Sequence, residues 1–324
     1  MVPRKKQALL LWKSTLLPAN GGDEPSSPLL SWLATKPMCS WRGIMCDARG
    51  RVAKLSLPGA GLHGTLSSLD LAAFPALTKL DLLNNNISGS IPANISNLTY
   101  LDLSQNSLSG EIPDTLSSMR TIPSLEASLQ GSIPPEISNA SKLQTLFLRC
   151  NNLYGKITVE VGRVASLRRL MLSWNSLTGP IPHSVGNLTS LVLLGIFCNN
   201  LIGKITLEIA NLTALESLDL DTNQLEGEVP QALSALQSLQ FLDISNNKLS
   251  GVIPYLNTRK LLAISLANNS FTGVFPIMLC QQSCLQILDL SNNKLYDKLP
   301  RCLWNMQDLL FIDLSSNAFS GNVQ

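Results

Sequence analysis

The sequence predicts an α/β solenoid: a curved superhelix of about 12 stacked repeats, with a parallel β-sheet on its concave side and a helical cap at the N-terminus. Three observations carry that expectation. One frame of residues recurs along nearly the whole chain. Aromatic residues make up only 5% while Leu and Asn recur throughout, which suits thin, similar layers better than one irregular globule. Residues 1–50 depart from the frame, as a solenoid end does when it must face solvent.

The frame is clearest at Leu239-x-x-Leu242-x-Ile244-x-x-Asn247-x-Leu249-x-Gly251-x-Ile253-Pro254. With the Asn position as marker, copies fall at 60, 85, 106, 127, 151, 175, 199, 223, 247, 269, 293 and 317, most of them 24 residues apart. The marker is Asn in all but Ala60 and Ala127, and Gly stands four residues later in all but the copy with Asp297. So many matches in one register set the fold. Leu-x-x-Leu-x-Leu is a short strand with inward Leu at period 2. The Asn side chain serves backbone groups of the adjacent coil and tolerates turn conformations. The Gly provides a backbone position that a side chain would obstruct. Ile-Pro is extended, because Pro fixes φ and biases its predecessor away from helix. Stretches such as Gln231–Leu236 then turn as helix on the outer side. The fourth copy is degenerate, with Pro123 within the strand, Ser124 for a core Leu and Ala127 for the Asn, so an irregularity is expected there.

Ahead of the repeats, Lys5–Leu17 has a helical pattern, Pro18–Pro28 is loop and Leu29–Leu33 is a short apolar piece. An apolar fraction of 45% with 14% charged residues excludes disorder. A net charge of +2, with no basic stripe beyond Arg4-Lys5-Lys6, gives no case for nucleic acid. No apolar run reaches the ~18 residues of a membrane span, and Ala8–Trp12 is too short for the core of a signal peptide. The chain stops at Gln324 inside the twelfth copy with no polar cap, which reads as a fragment or truncated product.

The Leu-x-Gly-x-Ile-Pro ending resembles the plant-specific class of leucine-rich repeat, found in plant receptor-like kinases, receptor-like proteins and polygalacturonase-inhibiting proteins. The resemblance covers residues 51–324. Residues 1–50 resemble the plant-type N-terminal cap of such receptors, in which a run like Cys39-Ser-Trp41-Arg-Gly43-Ile-Met-Cys46 forms a disulfide. On the residues alone, Cys39 and Cys46 are also compatible with half a metal site or with free thiols. The resemblance implies the disulfide and an oxidising compartment. Cys280 and Cys302 lie on the outer side of successive copies, within reach of a bridge, in segments that look like receptor-like proteins. Cys284 competes for the same partner. Cys150 and Cys198, two copies apart, are too distant to pair. Sequons begin at Asn86, Asn94, Asn97, Asn139, Asn187, Asn211 and Asn268 and predict N-glycosylation, although a chain rich in Asn, Ser and Thr also makes sequons by accident.

No enzyme chemistry assembles. His63 and His183 are far apart, and no triad, metal cluster or phosphate loop is present. Asp81, Asp102, Asp219, Asp243, Asp289 and Asp313 share one repeat column and read as a structural row, not acid/base pairs. The kinase domain of many receptor-like kinases is absent from this chain, and no cofactor is implied. Where the Asp column is interrupted, Phe147, Met171 and Gly195 take its place, beside Arg149, Arg169, Trp174 and Phe197. Aromatics, Met and Arg exposed on a rigid sheet have the composition of a binding hot spot. Phe147, Arg149, Arg169, Met171, Trp174 and Phe197 are therefore the candidate ligand contacts, against sequence drift on a tolerant surface. Copies 8 to 12 look generic. The resemblance implies an ectodomain at the cell surface that binds a secreted peptide or protein, with a co-receptor kinase as a second partner, in immune or developmental signalling. A polygalacturonase-inhibitor-like defence protein and a non-functional receptor fragment are the alternatives. Ice binding would need regular Thr arrays, for which Thr158 and Thr206 are too sparse.

Overall fold

A computed structural model describes residues 3–18, 29–95, 97–115, 119–124 and 128–321. The chain packs as two compact units, Met1–Tyr154 and Gly155–Gln324. The cap strand Ile44–Cys46 and the strands of the Leu-x-x-Leu-x-Leu segments are numbered β1–β13 in chain order.

In the first unit, helix α1 (Arg4–Thr15) buries Leu9 and Trp12. It ends two residues before the expected Leu17. Pro18 disfavours helix at the residue before it, and Leu17–Pro18 instead pairs antiparallel with Leu62–His63. The cap is held by three buried tryptophans: Trp12 and Trp32 lie 6.1 Å apart, and Trp32 stacks on Trp41 at 5.2 Å. Trp12 Nε1 donates to Thr65 O at 3.0 Å, tying the helix to the first coil. A disulfide joins Cys39 and Cys46, with Cα atoms 5.6 Å apart.

β1 (Ile44–Cys46) pairs antiparallel with β2 (Val52–Ser56). β2, β3 (Lys79–Asp81), β4 (Tyr100–Asp102), β5 (Thr121–Ser124) and β6 (Thr145–Phe147) follow in parallel. Their inward residues, Leu55, Leu80, Leu101, Ile122 and Leu146, are buried. The irregularity expected in the fourth copy is a bulge. Tyr100 faces Thr121 and Asp102 faces Ser124, so β5 spends one more residue than β4 on the same step. Pro123 cannot donate to a ladder, and a bulge accommodates it. Ala127 lies outside the described residues.

The second unit is more regular. β7 (Arg169–Met171), β8 (Leu193–Gly195), β9 (Ser217–Asp219), β10 (Phe241–Asp243), β11 (Ala263–Ser265), β12 (Ile287–Asp289) and β13 (Phe311–Asp313) run parallel without a register shift. Leu170, Leu194, Leu218, Leu242, Ile264 and Leu288 form one buried row beneath them.

The Asn column explains that regularity. Asn199 Oδ1 accepts from the N–H of Leu177 in the preceding coil at 3.0 Å. Its Nδ2 donates to Leu172 O of that coil at 3.0 Å, and to Ile196 O and Phe197 O of its own at 3.1 and 3.2 Å. Asn223, Asn247, Asn269, Asn293 and Asn317 repeat the arrangement.

The residue before each Asn is left-handed. Trp174, Cys198, Thr222, Asn246, Asn268, Asn292 and Ser316 all have φ between 49° and 56°.

The stretch after the Asn, expected as a turn and extended chain, forms a second parallel ladder. Ser176–Gly179, Asn200–Gly203, Gln224–Glu228, Lys248–Val252, Ser270–Gly273, Lys294–Lys298 and Ala318–Ser320 pair in sequence. Its Gly column is left-handed, and Asp297 adopts the same conformation at φ 75°. The outer pieces are five-residue 3₁₀ turns such as His183–Asn187 and Gln231–Ala235, too short for α-helix. They pack closely: a Cβ on Gly162 would sit 2.1 Å from Ser184 O, and one on Gly186 2.3 Å from Glu208 O. Two consecutive outer turns carry Cys280 and Cys302, which form a disulfide with Cα atoms 5.7 Å apart. Cys198 and Cys284 are free thiols.

Candidate ligand-binding face

In a strand, alternate residues face out of the sheet. On β7 those are Arg169, exposed, and Met171, half-buried. Trp174 follows at the turn and is 58% exposed. Its N–H donates to Phe197 O at 3.1 Å, which fixes the two residues side by side. Met171 pairs with Gly195 of β8. A Cβ on Gly195 would lie 2.5 Å from Met171 Sδ and 4.0 Å from a ring carbon of Phe197. The thioether therefore lies flat across β8 in the space a side chain would fill, next to the Phe197 ring. Met171, Gly195 and Phe197 make one apolar patch, flanked by Trp174 and Arg169.

Beneath the patch, Ser173 is fully buried and its hydroxyl has no partner. Elsewhere the serine at this position donates to the Asp of its own strand: Ser104 to Asp102 and Ser245 to Asp243 at 2.6 Å, Ser291 to Asp289 at 2.7 Å. Met171 occupies that Asp position here, so the acceptor is gone. A buried unpaired hydroxyl costs about 1–3 kcal/mol. Local rules are broken in this way chiefly at functional sites. Nothing in the periodicity signalled it; comparing the two columns residue by residue would have.

Phe147, half-buried on β6, and Arg149, exposed two residues beyond it, belong to the first unit. Asn94, Asn97, Asn139, Asn187 and Asn211 are exposed. Asn86 is exposed with Nδ2 against His63 Nδ1 at 2.9 Å, and Asn268 Oδ1 accepts from Asn292 at 2.6 Å.

The acidic column is built into the coils. Asp243, Asp289 and Asp313 each use Oδ1 to accept the backbone N–H two residues on, at 3.0, 2.9 and 2.9 Å. Burial, with the charges of Asp243 and Asp221 nearby, pushes the Asp219 carboxyl up to about 7. Hydrogen bonds from Ser315 hold Asp313 below the usual carboxylate range. Among the described residues, no group of three or more metal-ligating side chains gathers, and no helix is long and apolar enough to cross a membrane.

One expectation needs correcting. The face of copies 8 to 12 is not generic, because Phe241, Ile287 and Phe311 stand exposed at one position on β10, β12 and β13.

The profile of the leucine rich repeat N-terminal domain matches residues 3–47, and that of the leucine rich repeat matches 76–98, 97–119, 166–188, 214–236, 238–257 and 284–306. The chain is a leucine-rich-repeat protein. This leucine-rich-repeat chain is similar to the LRR receptor-like serine/threonine-protein kinase RGI3 of Arabidopsis thaliana, 39% identical over 92 residues, which is 28% of this chain and 8% of that protein. The match thus spans under a tenth of that relative. Among solved structures it is similar to the Arabidopsis receptor kinase HAESA in complex with the peptide hormone IDA and the co-receptor SERK1. That likeness has TM-score 0.78 and 31% identity, and covers 99% of this chain and 59% of that one. It is also similar to a plant ice-binding protein, with TM-score 0.71 and 26% identity, over 98% of this chain and 95% of that one.

Proposed function

We propose that this leucine-rich-repeat chain is the recognition part of a plant receptor-like kinase or receptor-like protein, binding a secreted peptide or protein ligand through the patch around Met171, Trp174 and Phe197. The observation that carries the reading is the Met171 side chain laid over Gly195 against Phe197, above a serine stripped of its acceptor. Rigid aromatic anchors at such a patch bind at little entropic cost. HAESA, to which the chain is similar, forms its complex with a peptide hormone and a co-receptor. On this reading residues 1–50 serve as the cap, the chain lies outside the cell, and the exposed sequons carry glycans. A co-receptor kinase is the expected second partner. Thr158 is engaged with Glu160 and the Thr206 hydroxyl is buried, so neither contributes to an ice-binding array.

The test pans a random peptide library displayed on phage against the full chain and against the double variant Trp174→Ala/Phe197→Ala. Clones enriched on the natural chain should bind the variant at least about tenfold more weakly, with its melting temperature unchanged. Enrichment equal on both proteins, or none on either, refutes the assignment.

A further inference from the structure

Charge is spread unevenly along the chain. Residues 1–51 hold eight Lys and Arg against Asp23, Glu24 and Asp47, and the remaining 273 residues hold 16 against 19 acids. The net charge of +2 therefore conceals a cap of +5 and coils of −3. Among the described residues of the cap the one acid is Asp47, and its oxygens are engaged internally. Oδ2 pairs with Arg51 at 2.8 Å, and Oδ1 accepts the N–H of Arg49 and of Arg51 at 2.9 Å. Arg4, Lys5, Lys36 and Arg42 are exposed and take part in no ion pair among the described residues.

Exposed apolar side chains gather in the same place. In the first unit, Leu11, Leu30, Leu33 and Met45 stand 58%, 51%, 44% and 55% exposed. No other large apolar side chain ahead of Tyr154 is exposed among the described residues. The cap's tryptophans do not explain the leucines, because Trp12, Trp32 and Trp41 are buried.

Hydrogen bonds bring the cations and leucines onto one surface. On α1, Lys6, Leu10 and Lys13 share a stripe at spacings of four and three residues. Lys13 Nζ donates to Trp32 O at 3.1 Å, and Lys6 Nζ to Ala34 O. The segment around Leu33 is thereby laid along the helix, one step round from Leu11. On its other side Trp32 Nε1 donates to Arg42 O at 2.9 Å, and the Arg42 N–H to Ser31 Oγ at 2.7 Å. Arg42 is thus held beside the same segment, and Leu30 and Leu33 stand between cations supplied by two parts of the cap.

We propose that this surface of the cap docks on an anionic lipid bilayer, with its Lys and Arg at the headgroups and Leu11, Leu30 and Leu33 entering the interface. Leucines isolated from one another and ringed by cations suit a bilayer, whose boundary adapts to each side chain. Anionic headgroups attract a polybasic segment over about a Debye length, and shallow apolar insertion then holds it. The surplus acid of the coils turns the cap, rather than the rest of the molecule, toward such a membrane. This surface is separate from the Met171 patch, and neither reading depends on the other.

The test sediments the full chain with vesicles of phosphatidylcholine alone, or with phosphatidylserine as the minor component. Mixed vesicles should bind it far better than neutral ones, and added salt should release it. Each Lys or Arg near such a surface is worth about fivefold, so Arg4→Gln/Lys5→Gln should weaken binding about twentyfold. Leu11→Ser/Leu33→Ser should weaken it about tenfold while leaving retention on heparin–agarose unchanged. All four side chains are exposed, so the melting temperature of both double variants should match that of the natural chain. Leucine variants that bind mixed vesicles like the natural chain would make the cap a general polyanion site and would overturn the proposal. So would equal binding to both kinds of vesicle, binding to neither, or insensitivity to loss of the two cations.

Discussion

Replacing Asn199 with Ala removes four hydrogen bonds, but they do not count equally. Leu172 O still accepts from Asn175 at 2.9 Å, Ile196 O from Asn223 at 3.1 Å, and Phe197 O from the Trp174 N–H at 3.1 Å. The group left without a partner is the N–H of Leu177, a fully buried residue that donated to Asn199 Oδ1. An orphaned buried donor costs about 1–3 kcal/mol, and the weakened carbonyl contacts add a smaller amount, so about 2–3 kcal/mol is expected. For a unit of this size that is a fall of about 5–10 °C in melting temperature.

Asn199→Asp makes the sharper comparison. A carboxylate can accept from Leu177, but it is acceptor-only and would turn an oxygen toward three carbonyls that now receive donors at 3.0–3.2 Å. It should therefore destabilise more than Ala at neutral pH. Its folded pKa would lie above its unfolded one, so stability returns as pH falls toward the unfolded value. Calorimetry and amide exchange at Leu177 measure both. An Ala variant within about 0.5 kcal/mol of the natural chain, or an Asp variant milder than Ala at neutral pH, would refute the reasoning.

Three further outcomes follow from packing, backbone conformation and charge. Gly162→Ala places a Cβ 2.1 Å from Ser184 O, backbone that cannot swing aside; it should cost about 2–3 kcal/mol in chemical denaturation. Gly50→Ala, open on all sides but left-handed at φ 70°, should cost only about 1 kcal/mol. For Asp219, the folded pKa of about 7 lies above the unfolded one, so ionisation opposes folding; the penalty grows from about pH 4 and is complete above about pH 7. Asn at 219 can still accept the Asp221 N–H without the charge, so Asp219→Asn should raise the melting temperature at pH 8 and not at pH 4. An equal gain at both would show that charge is not the cause.

The coils themselves were legible because each copy repeats the same physics. Leu at period 2, the Asn column and the Gly column point to one register, and β7–β13 keep it without a slip. Pro123, with Ser124 and Ala127, foretold an irregularity in the fourth copy, and the structure gives it the form of a bulge in β5. What escaped depends on neighbours in space. The second ladder forms because coils stack, and nothing within one Leu-x-Gly-x-Ile-Pro run shows its partner. The Ser173 hydroxyl is orphaned by the residue two before it. The row Phe241, Ile287, Phe311 emerges only when positions about 24 residues apart are set side by side, since within each strand a single Phe or Ile beside an Asp is unremarkable. The patch of Met171 and Phe197 was visible as composition, but the thioether lying over Gly195 was not.

The left-handed column before each Asn has a consequence for how such chains diversify. Asn holds that conformation at low cost, whereas Trp174, Cys198 and the β-branched Thr222 hold it at roughly 1–2 kcal/mol each. The coil sustains them because the neighbouring Asn side chains and the parallel strands over-determine the backbone there. The side chain at this position points away from the core, and its identity leaves every inter-coil backbone bond in place. Each coil therefore offers one exchangeable position, where a new surface group can be tried by a single codon change for a fixed, small loss of stability and without moving the coil. Trp174 is what one such trial looks like when the group retained is the largest available.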